Sequence, residues 1–193
     1  MKKVELKLMC GLPRAGKSTW LEKNKGDSII VSPDEIRKEV FGHQFFAPAN
    51  KFVFGLAESM VNLLLKQQKN VIVDATHITK NLRAAWRMIA INNNADVKII
   101  RVSSSKNMVK DFLYCLEKNE LSPENEKVPY DALIRMANAF EEPDQEEEGN
   151  WFQIIYANND FKKGLSLEKR IGYNNNDDIY DVYYKFNNYK FNR

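Results

Sequence analysis

Gly11-Leu12-Pro13-Arg14-Ala15-Gly16-Lys17-Ser18 is the stretch on which the fold turns. It matches Gly-x-x-x-x-Gly-Lys-Ser/Thr. Its flanks are those the pattern needs: Val4, Leu6 and Leu8 alternate with polar residues as a strand before it, and Ser18 to Asn24 reads as a helix after it. Glycines at 11 and 16 let successive N–H groups turn inward, and the start of the helix adds partial positive charge, so the loop is built to cradle a triphosphate. Lys17 is expected to span the β- and γ-phosphates, and the Ser18 hydroxyl to complete a Mg²⁺ shell of water and phosphate oxygens. Thr19 lies behind them on the α-phosphate side. Residues Gly11 to Thr19 are therefore the expected ATP-binding segment, with ATP and Mg²⁺ as cofactors.

Working outward, short apolar or β-branched runs recur at Ser28 to Val31, Val71 to Val73, Val97 to Val102 and Trp151 to Tyr156, separated by longer segments of helical spacing. That alternation predicts an α/β fold, a P-loop NTPase-type parallel sheet with helices on both faces. Phe52, Leu56, Met60, Leu63 and Leu64 predict the core face of one helix, and Leu82, Ala85, Trp86, Ile89 and Asn93 that of another. Two further helices, Ser105 to Asn119 and Pro129 to Phe140, are joined by the polar stretch Glu120 to Lys127 and together suggest a small helical lid over about residues 105–140. Residues 1–160 are read as the P-loop domain and 161–193 as a basic, Asn/Tyr-rich appendage or tail.

The formal charge of +3 comes from the tail: seven of the 29 Lys/Arg but only four of the 26 Asp/Glu lie beyond residue 160. There Lys162, Lys163, Lys169, Arg170, Lys185 and Lys190 alternate with Tyr and Phe, which allows single-strand stacking but fits a packed helix at least as well, since Ile179, Val182 and Phe186 share one face. The acidic run Glu141 to Gly149 is expected to be a solvated loop. No apolar run approaches the roughly 20 residues of a membrane span, and the first residues alternate charge, so a cytoplasmic protein with no membrane partner is expected. Cys10 and Cys115 have no metal-type spacing and are expected as buried thiols.

The carboxylates indicate the reaction. Val71-Ile72-Val73 ends in Asp74, the expected second protein ligand, direct or through water, of the Mg²⁺ near Ser18. Ala75 follows it where ATP-hydrolysing motors commonly place a water-activating Glu, so a hydrolase or AAA-type motor is disfavoured. Asp34 and Arg37 lie three apart in the first turn of a helix after Ser28 to Val31 and share a face. Asp34 is suited to accept a hydroxyl proton and Arg37 to grip an anionic group on the acceptor. An N-terminal cap with a surface ion pair would produce the same spacing.

At these residues the sequence resembles the P-loop polynucleotide kinases, the bacteriophage-type 5′-hydroxyl kinases, over about residues 1–143 and in the kinase part only. The resemblance implies that Asp34 is the general base toward a polynucleotide 5′-hydroxyl, that Arg37 holds the neighbouring acceptor phosphate, and that Asp74-Ala75-Thr76-His77 with Arg83 serves the metal and acceptor sites. Where that family's lid carries Arg-Asn-x-x-Arg, this chain has Lys118-Asn119-Glu120-Leu121-Ser122, leaving Lys118 and Lys127 as the candidate lid contacts to phosphate. The resulting expectation is an ATP-dependent kinase acting on a nucleic acid 5′ end. A small-molecule P-loop kinase for a nucleoside, sugar or nucleotide-sugar, and a non-catalytic ATP-binding module, remain as alternatives.

Overall fold

The computed structural model describes residues 3–42, 46–103, 105, 107–158 and 166–191. Lys162 and Lys163 of the basic tail lie outside them. Five strands, β1 (Glu5–Cys10), β2 (Ile29–Val31), β3 (Val71–Val73), β4 (Asp96–Ser103) and β5 (Gln153–Asn158), form one parallel sheet in the order β2-β3-β1-β4-β5. All five are the runs expected from the sequence. Because a strand's side chains alternate, β1 sends Leu6, Leu8 and Cys10 into the core on one face and Met9 into the core on the other.

The helices are α1 (Lys17–Asn24), α2 (Pro33–Phe41), α3 (Asn50–Lys66), α4 (Lys80–Ala84), α5 (Arg87–Asn92), α6 (Met108–Glu120), α7 (Tyr130–Asn138), α8 (Gln145–Glu148), α9 (Ser166–Arg170) and α10 (Ile179–Phe191). Helices α3 and α5 contribute to the Leu6/Leu8 core, whereas α6, α7, α9 and α10 contribute to the Met9 core.

The face of α3 differs from the expected one. Val53, Ala57, Val61 and Leu65 are its buried residues, whereas Phe52 is 56% and Leu63 59% exposed. Two apolar stripes run side by side on this helix. The one with the smaller side chains faces inward, because it lets the helix axis approach β2 and β3. The second stripe holds at Trp86 and Ile89, which pack into the core, but a break at Trp86 separates α4 from α5, so Arg83 and Ala90 are buried beside them and Leu82 and Ala85 are left exposed.

The run 141–149 is exposed along most of its length, as expected, but it is not a free loop: it holds α8 and its charges are partnered. Glu142 pairs with Arg101 at 3.0 Å, Glu147 with Lys80, and Glu148 with Arg83 at 2.6 Å, so the acidic charges are drawn against buried or half-buried cations. In the C-terminal region, Val182 and Phe186 of α10 are buried against the α6–α7 pair. Lys190 ties it to Glu120 at 3.0 Å, and Lys185 pairs with Asp177 at 2.7 Å.

Candidate active site

The phosphate loop is set by two glycines and one long-range bond. Gly11 has φ 155°, and a Cβ there would lie 2.6 Å from the Val102 carbonyl oxygen, so only glycine lets the loop leave β1 this close to β4. Gly16 enters α1 from the left-handed region at φ 95°. The Gly11 N–H donates to the Thr76 carbonyl at 3.0 Å, which fixes the loop to the segment just past β3.

Lys17 Nζ donates to the carbonyls of Gly11 at 3.1 Å and Leu12 at 2.8 Å. Burial pushes its ammonium below the ordinary lysine range, against the pull of the Asp74 carboxylate. Asp74 is half-buried at the end of β3, its N–H donating to the Val31 carbonyl at 2.9 Å. Burial raises its pKa, Lys17 draws it down, and the charges of Asp34 and Glu35 raise it again. Lys17, Asp74 and Asp34 thus belong to one electrostatic neighbourhood, with Ser18 and Thr19 exposed on the first turn of α1.

Helix α2 begins where β2 ends. Ser32 caps it, its hydroxyl accepting from the Glu35 N–H at 3.3 Å, and Pro33 takes the first helical position. Since Ser32 is the cap, Asp34 is left for another role. Its carboxylate accepts from Arg37 Nη1 at 2.5 Å, and Arg37 Nη2 donates to Asn50 Oδ1 at 2.9 Å. Arg37 is buried while the Asp34 carboxylate is exposed. Asn50, the first residue of α3, carried no signal in the sequence, because its partner lies 13 positions away across a turn.

The expected acceptor contact of Arg83 does not fit. Its guanidinium is fully buried, Nε and Nη2 donating to Glu148 and Nη1 to the carbonyls of His77 and Glu141, both at 3.0 Å. It fastens α4 to α8 and to the segment before it. His77 is also buried: its Nδ1–H donates to the Met9 carbonyl at 2.7 Å and its ring meets Trp86 edge-on, so burial pushes its pKa down to about 4. Cys10 and Cys115 are free and buried, and burial pushes the Cys10 thiol up to about 11.

On the helical pair, Asn119 is buried and clamps the backbone of Val128 at 2.9 Å in both directions, joining α6 to the approach of α7. Lys118 Nζ lies 5.3 Å from the Tyr114 ring, and Lys127 pairs with Glu124 at 2.8 Å. The cation that links loop and helical pair is Arg14, with φ 68°: it donates to the Glu126 carbonyl and pairs with the Glu126 carboxylate at 3.7 Å.

A glycine-bounded loop after the first strand of a parallel sheet, with its lysine and a strand-end aspartate, defines a P-loop NTPase-type fold of the kinase kind. The chain belongs to the family described as an AAA domain (AAA_33), whose model matches residues 6–143. Solved structures agree on the fold. The Pnkp1/Rnl/Hen1 RNA repair complex aligns with TM-score 0.61 and 20% identity over 79% of this chain and 48% of that one. The PezAT toxin–antitoxin system of Streptococcus pneumoniae aligns with TM-score 0.59 and 17% identity over 98% and 88%. Chaetomium thermophilum Kti12 in complex with ADP-AlF3 aligns with TM-score 0.57 and 16% identity over 95% and 96%. The chain spans about half the length of the Pnkp1 complex chains it matches. No curated protein matches it. Among the described residues no helix is long and apolar enough to cross a membrane.

Proposed function

We propose that the chain transfers the γ-phosphate of ATP to the 5′-hydroxyl of a polynucleotide. The observation that carries this reading is the Asp34–Arg37 pair at 2.5 Å on the first turn of α2, in the same electrostatic neighbourhood as Lys17 and Asp74. Asp34 is exposed and so open to a hydroxyl, from which it takes the proton as the oxygen attacks the γ-phosphorus. Arg37, held in place by Asn50 and Asp34, exchanges part of that engagement for a phosphate on the acceptor as Asp34 turns to the hydroxyl. Lys17 exchanges the Gly11 and Leu12 carbonyls for β- and γ-phosphate oxygens, and the loop N–H groups hold the chain of phosphates in line.

The oxygen donors Ser18 and Asp74 suit Mg²⁺, a hard cation that keeps most of its shell as water and phosphate; among the described residues no three metal-ligating side chains gather by themselves. When bound, the ion neutralises charge on the β- and γ-oxygens.

Transfer of γ-labelled phosphate from ATP with Mg²⁺ to 5′-hydroxyl RNA and DNA, beside a panel of nucleosides and sugars, tests the reading. Label on the oligonucleotide supports it. Label only on a small molecule replaces it with a small-molecule kinase, and ATP binding with no transfer replaces it with a binding module. The binding module has one observation in its favour: both expected lid cations are engaged, Lys118 with the Tyr114 ring and Lys127 with Glu124.

A further inference from the structure

Three phenylalanines stand at the surface where α2 ends and α3 begins. Phe41 lies 5.7 Å from Phe46, tilted 46°, and 6.0 Å from Phe52, edge-on at 86° (ring centroids). The three are 37%, 40% and 56% exposed. Solvent-facing aromatic clusters are uncommon on a face with no partner, and when they adjoin a polar site they mark binding surfaces.

Their place in the fold decides which site they adjoin. Helix α3 leads into β3, so its C-terminal end lies at the sheet edge where β3 begins. Its 17 residues span about 25 Å, which carries Asn50 and Phe52 to the opposite edge, where the phosphate loop and Asp74 lie. Arg37 and Phe41 are four apart and share a face of α2. Arg37 bonds Asn50 just as Phe41 meets Phe52, so the two helices touch through a polar pair and, one turn along α2 and two residues along α3, an aromatic one. Lys38 and Lys51 are exposed on the same two segments.

We propose that Phe41, Phe46 and Phe52 form a stacking platform for a nucleobase of a single-stranded acceptor, one to two nucleotides in from the 5′ end held at Asp34 and Arg37. This rests on the polynucleotide reading above. One helical turn from Arg37 to Phe41 is about 5.4 Å, against about 3.4 Å per stacked nucleotide, so a strand anchored at Arg37 reaches the rings within two residues. A sugar or free nucleoside ends before it arrives there. Stacking on phenylalanine tolerates every base, so the platform lends length without sequence preference, and Lys38 and Lys51 are available to the backbone phosphates.

The test compares wild type with Phe41→Leu/Phe52→Leu, which keeps apolar bulk and removes two π-faces, on a 5′-hydroxyl oligonucleotide and on the same strand abasic at its first three positions. Transfer kinetics and the anisotropy of a fluorescent oligonucleotide are both read. Expected are a roughly tenfold rise in oligonucleotide KM and Kd in the double variant, a similar loss for wild type on the abasic strand, and no further loss when the two are combined. The KM for ATP should not move. Absence of transfer with Phe-dependent oligonucleotide binding would sink the kinase reading and keep the platform. Oligonucleotide affinity that ignores both the variant and the missing bases, or no oligonucleotide binding at all, would overturn the platform. A wild-type dimer in sedimentation that the double variant dissociates would also overturn it, assigning the face to a second copy of the chain.

Discussion

Arg14 and Glu126 lie 112 positions apart in sequence, yet the loop arginine pairs with the glutamate of the turn between α6 and α7 at 3.7 Å and also donates to its backbone carbonyl. The contact joins the phosphate loop to the turn between α6 and α7, where the polynucleotide kinase pattern would have the lid send arginines toward phosphate. Half-exposed ion pairs are worth at most about 1 kcal/mol. Glu126→Ala, which leaves the carbonyl contact intact, should therefore shift the KM for ATP less than about fivefold. Arg14→Ala, which removes both contacts, should have the larger effect. Equal and negligible shifts in titration calorimetry with ATP would show that the contact does not couple the helical pair to the phosphate loop.

Asp34→Ala should lower kcat for phosphoryl transfer by about 10² to 10⁴, the usual range for a general base, with ATP affinity within about twofold of wild type. Arg37→Lys should not restore what Arg37→Ala loses, because one ammonium cannot bridge Asp34 and Asn50 and still meet a phosphate. Single-turnover kinetics with saturating ATP separate the two effects. A kcat for Asp34→Ala near that of wild type would remove it from the chemistry.

Glu148→Gln should destabilise the fold by about 3–5 kcal/mol, since it strands the buried Arg83 guanidinium without its carboxylate. Urea unfolding of the variant reads this directly. The KM for the acceptor should stay at the wild-type value, because neither residue faces it.

His77 makes stability depend on pH in a defined window. Its folded pKa is about 4 against an unfolded value near 6.5, so the unfolded chain binds the proton first as acid is added. The stability from keeping His77 neutral is intact above about pH 6.5 and falls as pH drops toward 4, a total of about 3 kcal/mol. His77→Asn, suited to the backbone φ of 40° there, should flatten the urea midpoint between pH 6.5 and 5. A wild-type midpoint already flat over that interval would contradict the burial argument.

Gly11→Ala should abolish ATP binding and destabilise the protein by about 1–3 kcal/mol, because its Cβ would meet the Val102 carbonyl at 2.6 Å and drive loop and β4 apart. Calorimetry with ATP, alongside thermal unfolding, checks both parts.

The strands and the phosphate loop were legible in the sequence because their signals are local: β-branched runs for β3 and β4, and glycines at fixed spacing in the loop. Helix faces were less so. On α3 both stripes are apolar, and packing distance, which no single helix encodes, selected Val53, Ala57, Val61 and Leu65 over the bulkier Phe52 and Leu63. At the site, Asp34 and Arg37 were visible because three residues separate them. Asn50, Arg14–Glu126 and the burial of Arg83 depend on chain segments meeting, and the ion pairs of the acidic run 141–149 were hidden because its cations lie 40 or more positions upstream.

The strand order also governs how the chain comes off the ribosome. Central β1 is made first but pairs only with β3 and β4, so Leu6 and Leu8, fully buried in the finished sheet, have no strand beside them until Val71 emerges and none on the other side until Asp96. At about 5–20 residues per second, that leaves the emerged β1 uncovered for roughly 3 to 20 seconds. A chaperone at the tunnel exit would find its binding stretch there, and slowing translation between β1 and β3 should increase aggregation of the newborn chain.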